Sequence, residues 1–364
     1  MRRLLIPVGY AASQHEARMA LRLAALRHQG WQTTVYTPDS PALDAPFRNA
    51  AIDLRHLPMR SYSDFHSIRV LARHLSGEQQ DTVILAQNSI TAFISLCARK
   101  LAGRPDIRVV LISSTNKPPR TGFLARRMYR NLSAVAFTSI YSLAMHRMAE
   151  QQTGRILIPP HRIHVLYTGV GEPPEQTHEP PKGPFIALYN GELRPGCGLR
   201  HLIDNLDQLR HKRIRLMIAG QGKSDYMDRL RRHAIRRDVM DLISWRRERP
   251  TLSELTATAH FGIFPYRHES LFSDANIELM AAGMPQILPP GKLAHEYLST
   301  DGGALYTPTS PFSSDAPSDP LIAAMLRLAA SPALCATLGQ SAAARYRRHF
   351  LPDPLLTALP SLLQ

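Results

Sequence analysis

Short apolar runs alternate with stretches of helical spacing along the whole chain. Runs of four or five mostly apolar residues predict strands at 4–8, 33–37, 82–86, 109–112, 135–138 and 164–167, and again at 185–189, 215–219, 241–245, 261–265, 286–289 and 304–307. Between them, apolar residues recur every three or four positions, as at Leu199, Leu202, Ile203, Leu206 and Leu209. Strands that alternate with helices through short loops predict an α/β fold in which helices cover both faces of parallel sheets. The pattern occurs twice.

The position of a proline-rich segment predicts the domain organisation. The 364 residues suffice for two domains at about 150 residues each. We predict an N-terminal domain at 1–170, a linker at 171–184 and a C-terminal domain at 185–345, followed by a helix at 346–364 that packs back on the first domain. Two doubly wound, Rossmann-like domains facing each other would leave a cleft at the carboxyl ends of their strands, where ligands of this fold class bind.

Charge and composition limit the kinds of partner, membrane association and cellular compartment that we expect for this protein. The net charge is +15, and the first 170 residues contain 22 Lys and Arg against 9 Asp and Glu. Such a field attracts phosphorylated substrates, acidic lipids or nucleic acid, but no nucleic-acid motif is present and we expect no such partner. No apolar run reaches the length of a membrane span. The three cysteines, Cys97, Cys197 and Cys335, have no zinc or dithiol spacing, which favours a reducing cytoplasm.

The segment 260–285 holds the candidate chemistry. A strand ends there, a polar loop carries Glu269, and a helix begins near Ser273 or Asp274 with Glu278 one turn inside it. Free amides at a helix start suit a phosphate or sugar oxygen, and a carboxylate can accept two hydrogen bonds from the diol of a ribose. The alternative is that each glutamate is an ordinary solvated acid. The combination favours a nucleotide-sugar site.

Several motifs in this chain resemble the retaining GT-B-fold glycosyltransferases of family 4, the group 1 glycosyl transferases. The two glutamates and the turn at 281–285 resemble the donor-site signature of the family, and the likeness extends over about residues 109–350. Its supporting segments are 138–139, 161–170, 189–193 and 216–223. The resemblance implies a hexosyltransferase that moves a sugar from a nucleoside diphosphate to an acceptor, with retention and with no metal or other cofactor. No Asp-x-Asp metal motif occurs.

The resemblance also implies the roles of individual residues. It makes Glu269 the catalytic residue and places the donor on Glu278, Ser270, Leu271, Phe272, Gly191, Gly220 and Gly222. Arg194, Arg200 and Lys223 are close enough in sequence to bind the diphosphate, because a guanidinium can approach a phosphate from more than one direction; the alternative for Arg194 is an ordinary surface arginine. The chain departs from the family at Glu192 and Cys197, where members carry an arginine and a lysine for the diphosphate, and it has eight instead of seven residues between the glutamates. A second hypothesis is therefore a non-catalytic GT-B partner or scaffold protein that has lost the diphosphate clamp.

A basic segment in the first half predicts the acceptor side. Arg120, Arg126, Arg127 and Arg130 are interleaved with Phe123, Leu124, Met128 and Tyr129. On a helix this arrangement has a cationic and an apolar side, which is typical of helices that rest on anionic membranes; the alternative is a helix that faces the core with a solvated basic side. We expect a lipid-linked or otherwise anionic acceptor, as in surface polysaccharide or lipopolysaccharide biosynthesis, at the inner face of the membrane.

Overall fold

The chain forms two compact units. The computed structural model describes residues 2–9, 14–114, 118–171, 183–220, 222–246, 251–266, 272–307, 319–351 and 353–362. Unit 1 comprises Met1–Thr168 and Pro352–Gln364, and unit 2 comprises Gly169–Leu351. Each unit is built on one parallel sheet.

Unit 1 is a seven-stranded sheet in the order β3-β2-β1-β4-β5-β6-β7. The strands are β1 (Arg2–Pro7), β2 (Trp31–Thr37), β3 (Asp53–His56), β4 (Asp81–Ala86), β5 (Arg108–Ser113), β6 (Ala134–Phe137) and β7 (Ile163–Val165). The helices between them are α1 (Gln14–Ala24), α2 (Pro41–Asn49), α3 (Phe65–Ser76), α4 (Ser89–Leu101), α5 (Phe123–Asn131) and α6 (Ile140–Thr153). Successive residues of β4 enter opposite cores, Val83 and Leu85 on one face and Ile84 on the other. Helices therefore cover both faces, as the unbroken apolar runs predict.

Unit 2 is a six-stranded sheet in the order β10-β9-β8-β11-β12-β13. Its strands are β8 (Phe185–Tyr189), β9 (Ile214–Ile218), β10 (Ile243–Trp245), β11 (Phe261–Ile263), β12 (Gln286–Leu288) and β13 (Ala304–Tyr306). Its helices are α7 (Leu199–Asn205), α8 (Ser224–Arg236), α9 (Leu252–Thr258), α10 (Asp274–Ala281), α11 (Lys292–Leu298), α12 (Pro320–Ala330) and α13 (Pro332–Phe350). Short 3-10 helices lie at Ala25–Gln29 and Pro160–Arg162 in unit 1, and at Leu206–Leu209 and Met240–Leu242 in unit 2. The order is that of a doubly wound nucleotide-binding fold.

The last helix, α14 (Pro354–Leu362), belongs to unit 1. Leu355 and Leu359 are fully buried in the same core as Leu4 and Leu23. The returning segment begins at Pro352, later than the predicted residue 346. The reason is that Phe350 stacks on Tyr297 of unit 2, with ring centroids 5.5 Å apart, so the end of α13 stays in unit 2.

The crossing from unit 1 to unit 2 also differs from the prediction. The backbone nitrogen of Val170 donates to the Tyr346 hydroxyl at 3.0 Å, and that hydroxyl donates to the Gly171 carbonyl at 2.6 Å. Residues 169–170 therefore belong to unit 2 instead of the first domain. The predicted linker lies almost wholly at 172–182, outside the described residues.

No single helix among the described residues is both long and apolar enough to cross a membrane; one pair, Pro320–Ala330 with Pro332–Leu359, reaches that length and composition only when joined across a 100° bend.

Candidate functional site

The strand order of unit 2 reverses between β8 and β11. Strands β9 and β10 extend the sheet from one side of β8, and β11, β12 and β13 extend it from the other. At such a reversal, the loops at the carboxyl ends of the two central strands diverge and leave a crevice that binds ligands. Residues 190–198 follow β8, and residues 264–273 connect β11 to α10. The glycine motifs and both glutamates of the sequence analysis lie in these connections, in the loop after β9, or in α10.

The predicted glycines lie together and their loops are in backbone contact. A Cβ atom on Gly220 would lie 2.1 Å from the Gly191 carbonyl oxygen, and one on Gly222 would lie 2.0 Å from the Leu193 oxygen. Leu193 and Gly222 form an isolated parallel bridge. Glycine at 220 and 222 is thus required by the approach of one loop to the other, before any ligand is considered.

Two of the predicted cations follow this bridge directly. Arg194 comes after Leu193 and Lys223 comes after Gly222, so the parallel bridge brings both to the same edge of the sheet. The Arg194 Nε lies 2.9 Å from a carboxylate oxygen of Glu192, in a partly exposed ion pair. Lys223 is exposed at the N-cap of α8 and forms no ion pair with any described residue. Lys223 is available to an anion, whereas Arg194 is shared with an acid.

Cys197 is a packing residue. It is fully buried, and its Sγ lies 3.5 Å from the Tyr226 hydroxyl. Beneath the loop, the Tyr189 hydroxyl donates to the Glu192 carbonyl at 2.7 Å. Burial raises the pKa of Tyr189 well above its ordinary value, so it stays a neutral donor. Contacts with the side chains of Tyr189 and Tyr226 therefore fix the loop at 190–197.

The helix that carries Glu278 is fixed by polar contacts in the core. Of the two predicted candidates, Ser273 is its N-cap and Asp274 its first residue, and the Ser273 backbone nitrogen donates to Asn276 Oδ1 at 3.1 Å. Asn276 Nδ2 donates to Gln286 Oε1 at 3.1 Å, and Gln286 Nε2 donates to the Asn276 carbonyl at 2.8 Å. Glu278 is half-buried on this helix. Its carboxylate therefore projects from a rigid support.

The remaining predicted donor residues fall in the loop before α10. Glu269, Ser270 and Leu271 lie outside the described residues. Phe272 is described, and its side chain is buried against Tyr297 with ring centroids 5.4 Å apart. Only the backbone of Phe272 is thus left for the predicted contact with a donor.

Buried polar atoms without partners mark the same edge of the sheet. Asn190 Oδ1, Trp245 Nε1 and Thr307 Oγ1 have no hydrogen-bond partner among the described residues. They lie at the carboxyl ends of β8, β10 and β13. Because buried polar groups are nearly always hydrogen-bonded, unpartnered ones at a ligand-binding edge are candidates for ligand contact. Neither Asn190 nor Thr307 was predicted from the sequence to contact the donor. The feature that could have identified them is that each is a polar residue directly after a buried strand.

Unit 1 has a similar feature at its own strand reversal, between β1 and β4. Gln87 follows β4 and is 6% exposed, and neither its Oε1 nor its Nε2 has a hydrogen-bond partner in the described part of the chain. Beside it, Asn88 caps α4 and donates from Nδ2 to Glu16 Oε1 at 3.0 Å. A primary amide without such partners offers one donor group and one acceptor, which suits a sugar hydroxyl. Gln87 was not among the site residues predicted from the sequence.

The basic helix predicted at 120–130 is α5, with Arg120 just before it. Met128 and Tyr129 face the core, whereas Phe123 and Leu124 are 69% and 56% exposed. The apolar residues therefore divide between core and surface instead of forming one side. Beside the exposed pair lies a cavity of about 520 Å³ that is lined by Phe123, Arg126, Arg127, Arg130, Asn131 and Arg155.

One group among the described residues has the composition of a metal site. Potential ligand atoms of Asp39, Asp44 and His56, in unit 1, lie within 4.8 Å of one another. Asp44 already accepts from Thr37 Oγ1 at 3.0 Å and from Arg48 at 3.3 Å. Internal hydrogen bonds account for the position of its carboxylate without a cation.

Two family models match consecutive parts of the chain. Residues 16–169 match a model described as glycosyl transferase 4-like domain, and residues 173–319 match glycosyl transferases group 1. The chain belongs to the GT-B glycosyltransferases. The predicted GT-B fold and the membership of the glycosyltransferases are thereby confirmed. No curated protein matches this GT-B sequence.

Solved structures share the fold of this glycosyltransferase at low sequence identity. A glycosyltransferase from Rickettsia africae has a TM-score of 0.77 at 14% identity, over 99% of this chain and 97% of its own. Anabaena HepE in complex with UDP and glucose has a TM-score of 0.74 at 15% identity, over 99% and 98%. The lipopolysaccharide outer core galactosyltransferase WaaB has a TM-score of 0.61 at 12% identity, over 97% and 99%.

The ion pair between Glu192 and Arg194 yields a prediction. Replacing Glu192 by Gln removes a negative charge and releases Arg194, so we expect a nucleoside diphosphate to bind more tightly at this edge. The gain should not exceed about fivefold, because an exposed ion pair contributes at most about 1 kcal/mol. Isothermal titration calorimetry measures the affinity, with Asp207→Asn as a control at another exposed acid of unit 2. Weaker nucleotide binding in Glu192→Gln would show that Glu192 itself helps to hold the nucleotide.

Proposed function

We propose that this protein is a retaining hexosyltransferase that moves a sugar from a nucleoside diphosphate to an acceptor hydroxyl, without a metal ion. The observation that carries the proposal lies at one edge of the unit 2 sheet. There the loop with Gly191 and the loop with Gly220 and Gly222 are in backbone contact, close to Arg194, Lys223 and three buried polar atoms that have no partner among the described residues. Hydrogen-bond donors and cations that are already in place at such an edge suit a diphosphate. The absence of an Asp-x-Asp motif supports independence from a metal ion.

In this proposal, different residues contact different parts of the donor. Glu278, held on the fixed helix α10, accepts hydrogen bonds from the ribose diol. Arg194 and Lys223 neutralise the diphosphate as it departs. Glu269, with the backbone amides of Ser270, Leu271 and Phe272, meets the sugar. Gly191, Gly220 and Gly222 let the backbone approach the phosphates.

The chemical step needs no basic side chain from the protein. The acceptor oxygen bonds to the anomeric carbon on the face that the diphosphate leaves, and the departing phosphate oxygen takes the acceptor proton. The protein contributes orientation and charge stabilisation, which together supply much of the rate enhancement of many enzymes. We propose uridine as the base, because the similar fold of Anabaena HepE binds UDP.

We propose that the acceptor is an anionic or lipid-linked glycan precursor at the cytoplasmic face of a membrane. Two observations support this: exposed Phe123 and Leu124 sit beside arginines that form no ion pair with described residues, and a similar fold occurs in a lipopolysaccharide galactosyltransferase. Exposed aromatic and aliphatic side chains enter the headgroup region while arginines meet anionic lipids. Gln87 is our candidate for contact with an acceptor hydroxyl.

Thermal unfolding with nucleotides tests the donor site. We expect UDP to raise the melting temperature more than GDP or ADP, because a ligand that binds only the folded state stabilises it by mass action. Glu278→Gln should lose most of that rise while it unfolds near the wild-type temperature without ligand. Glu296→Gln, on α11 of the same unit, is the control and should keep the rise. If no nucleotide shifts the wild type, the protein is better explained as a non-catalytic GT-B scaffold, for which Glu192 and Cys197 already argue.

Co-sedimentation with vesicles tests the membrane proposal. Wild-type protein should sediment with phosphatidylglycerol-containing vesicles at low salt and less at high salt, because screening weakens electrostatic contacts. Arg127→Gln/Arg130→Gln should lose about thirtyfold in binding, since each of the two basic residues contributes about 1 kcal/mol near an anionic surface. Arg69→Gln/Arg73→Gln, which removes two exposed arginines from α3, is the control. Equal binding by both variants would refute a role for α5.

A further inference from the structure

A second cationic cavity lies in unit 2, between residues of α7 and α8. Its volume is about 310 Å³. Four arginines line it, Arg200 from α7 and Arg229, Arg232 and Arg236 from α8. The three on α8 are three and four residues apart, so they share one face of that helix, and α7 packs beside it. The fold therefore directs four guanidinium groups at one concave space.

No acid of unit 2 neutralises this cluster within the described part of the chain. Arg200, Arg232 and Arg236 form no ion pair or hydrogen bond there, and Arg229 lies 5.5 Å from the Tyr226 ring centroid. Two nearby acids bind other bases, and a third, Asp225, is exposed one turn before Arg229, forms no ion pair with a described residue and does not line the cavity. Asp204 pairs with His233 at 2.9 Å and Arg237 at 3.2 Å, and Asp228 pairs with Arg231 at 3.5 Å. The mutual repulsion of the four cations is thus left for an external anion to relieve.

The chemistry of the lining identifies the kind of anion. Guanidinium groups offer paired N–H donors that match the oxygens of a phosphate, and they are the preferred partners of phosphate where several donors converge. The cavity is at the small end of the range for ligand sites, which is about 300–1,000 Å³. We propose that it binds a small phosphate-rich anion of diphosphate size, free or as a lipid headgroup.

The lining of this cavity differs from the residues of the donor edge, although the hydroxyl of Tyr226, which lines the cavity, lies 3.5 Å from Cys197 Sγ in the loop after β8. None of the described residues of the two glycine loops lines the cavity. Arg200, which the sequence places near the diphosphate loop, lines this cavity with α8. The inference therefore does not depend on the proposed transferase activity.

Titration with inorganic pyrophosphate tests the proposal, with Arg232→Gln/Arg236→Gln as the variant. We expect this variant to bind pyrophosphate at least about tenfold more weakly than wild type, because it loses two sets of charge-assisted hydrogen bonds. Arg69→Gln/Arg73→Gln, with the same charge change on α3, should bind as wild type. Whatever rise in melting temperature UDP gives the wild type should persist in both variants. Loss of that rise in the α8 variant alone would place these arginines in the donor site and overturn a separate site.

Phosphatidylcholine vesicles containing phosphatidic acid distinguish the two sources of the anion. If pyrophosphate binds equally to all proteins but the α8 variant alone fails to sediment with these vesicles, the site takes a headgroup. If the α8 variant alone binds pyrophosphate more weakly but all proteins sediment equally with the vesicles, the site takes a free anion. Equal behaviour of the α8 and α3 variants in both assays would overturn the proposal. If UDP does not change the melting temperature of the wild type, that result counts against the proposed transferase activity only. The comparison of the α8 and α3 variants with pyrophosphate and vesicles still tests the arginine site.

Discussion

Backbone oxygens occupy the space where side chains would begin at three glycines of unit 2. A Cβ on Gly198 would lie 1.6 Å from the Pro265 oxygen, which adds the end of β11 to the contacts of Gly220 with Gly191 and of Gly222 with Leu193. These contacts tie the loops after β8, β9 and β11 to one another. Since the strand order reverses between β8 and β11, the contacts fix the edge at which a ligand of this fold binds. The proposed donor site is therefore preformed by backbone contacts.

The electrostatics of that edge are unusual for a diphosphate site because an acid sits among the cations. Glu192 shares Arg194, and Cys197 is buried in a core contact with Tyr226, so neither supplies positive charge. Among the described residues, Lys223 forms no ion pair, and the Asn190, Trp245 and Thr307 atoms that lack a hydrogen-bond partner there remain to meet a ligand. A diphosphate bound at this edge would depend more on fixed dipoles and on the Lys223 ammonium than on a clamp of two cations.

Much of the fold could be predicted from the apolar pattern, and the exceptions have physical reasons. Every described strand was predicted except β3, because Asp53–His56 holds a single aliphatic residue and lies at the sheet edge, where burial does not demand a long apolar run. The end of α13 was misassigned because the roles of Tyr346 and Phe350 depend on contacts with residues distant in sequence. Gln87 was missed for the same reason, since a buried free amide is visible only in three dimensions. Gly191, Gly220 and Gly222 and the start of α10 near Ser273 were predictable from local sequence. A close approach of two backbones requires glycine, and the start of a helix favours a side chain that can cap it.

Hydrogen exchange followed by mass spectrometry, with and without UDP, tests most directly whether the carboxyl edge of the unit 2 sheet binds a nucleotide. The account predicts slower exchange in peptides that contain 190–194, 219–224 and 273–279 when UDP is bound, because ligand contact suppresses local opening. Peptides covering α12, in the same unit, should be unchanged. Unchanged exchange in all three segments at a UDP concentration that saturates binding would contradict the account.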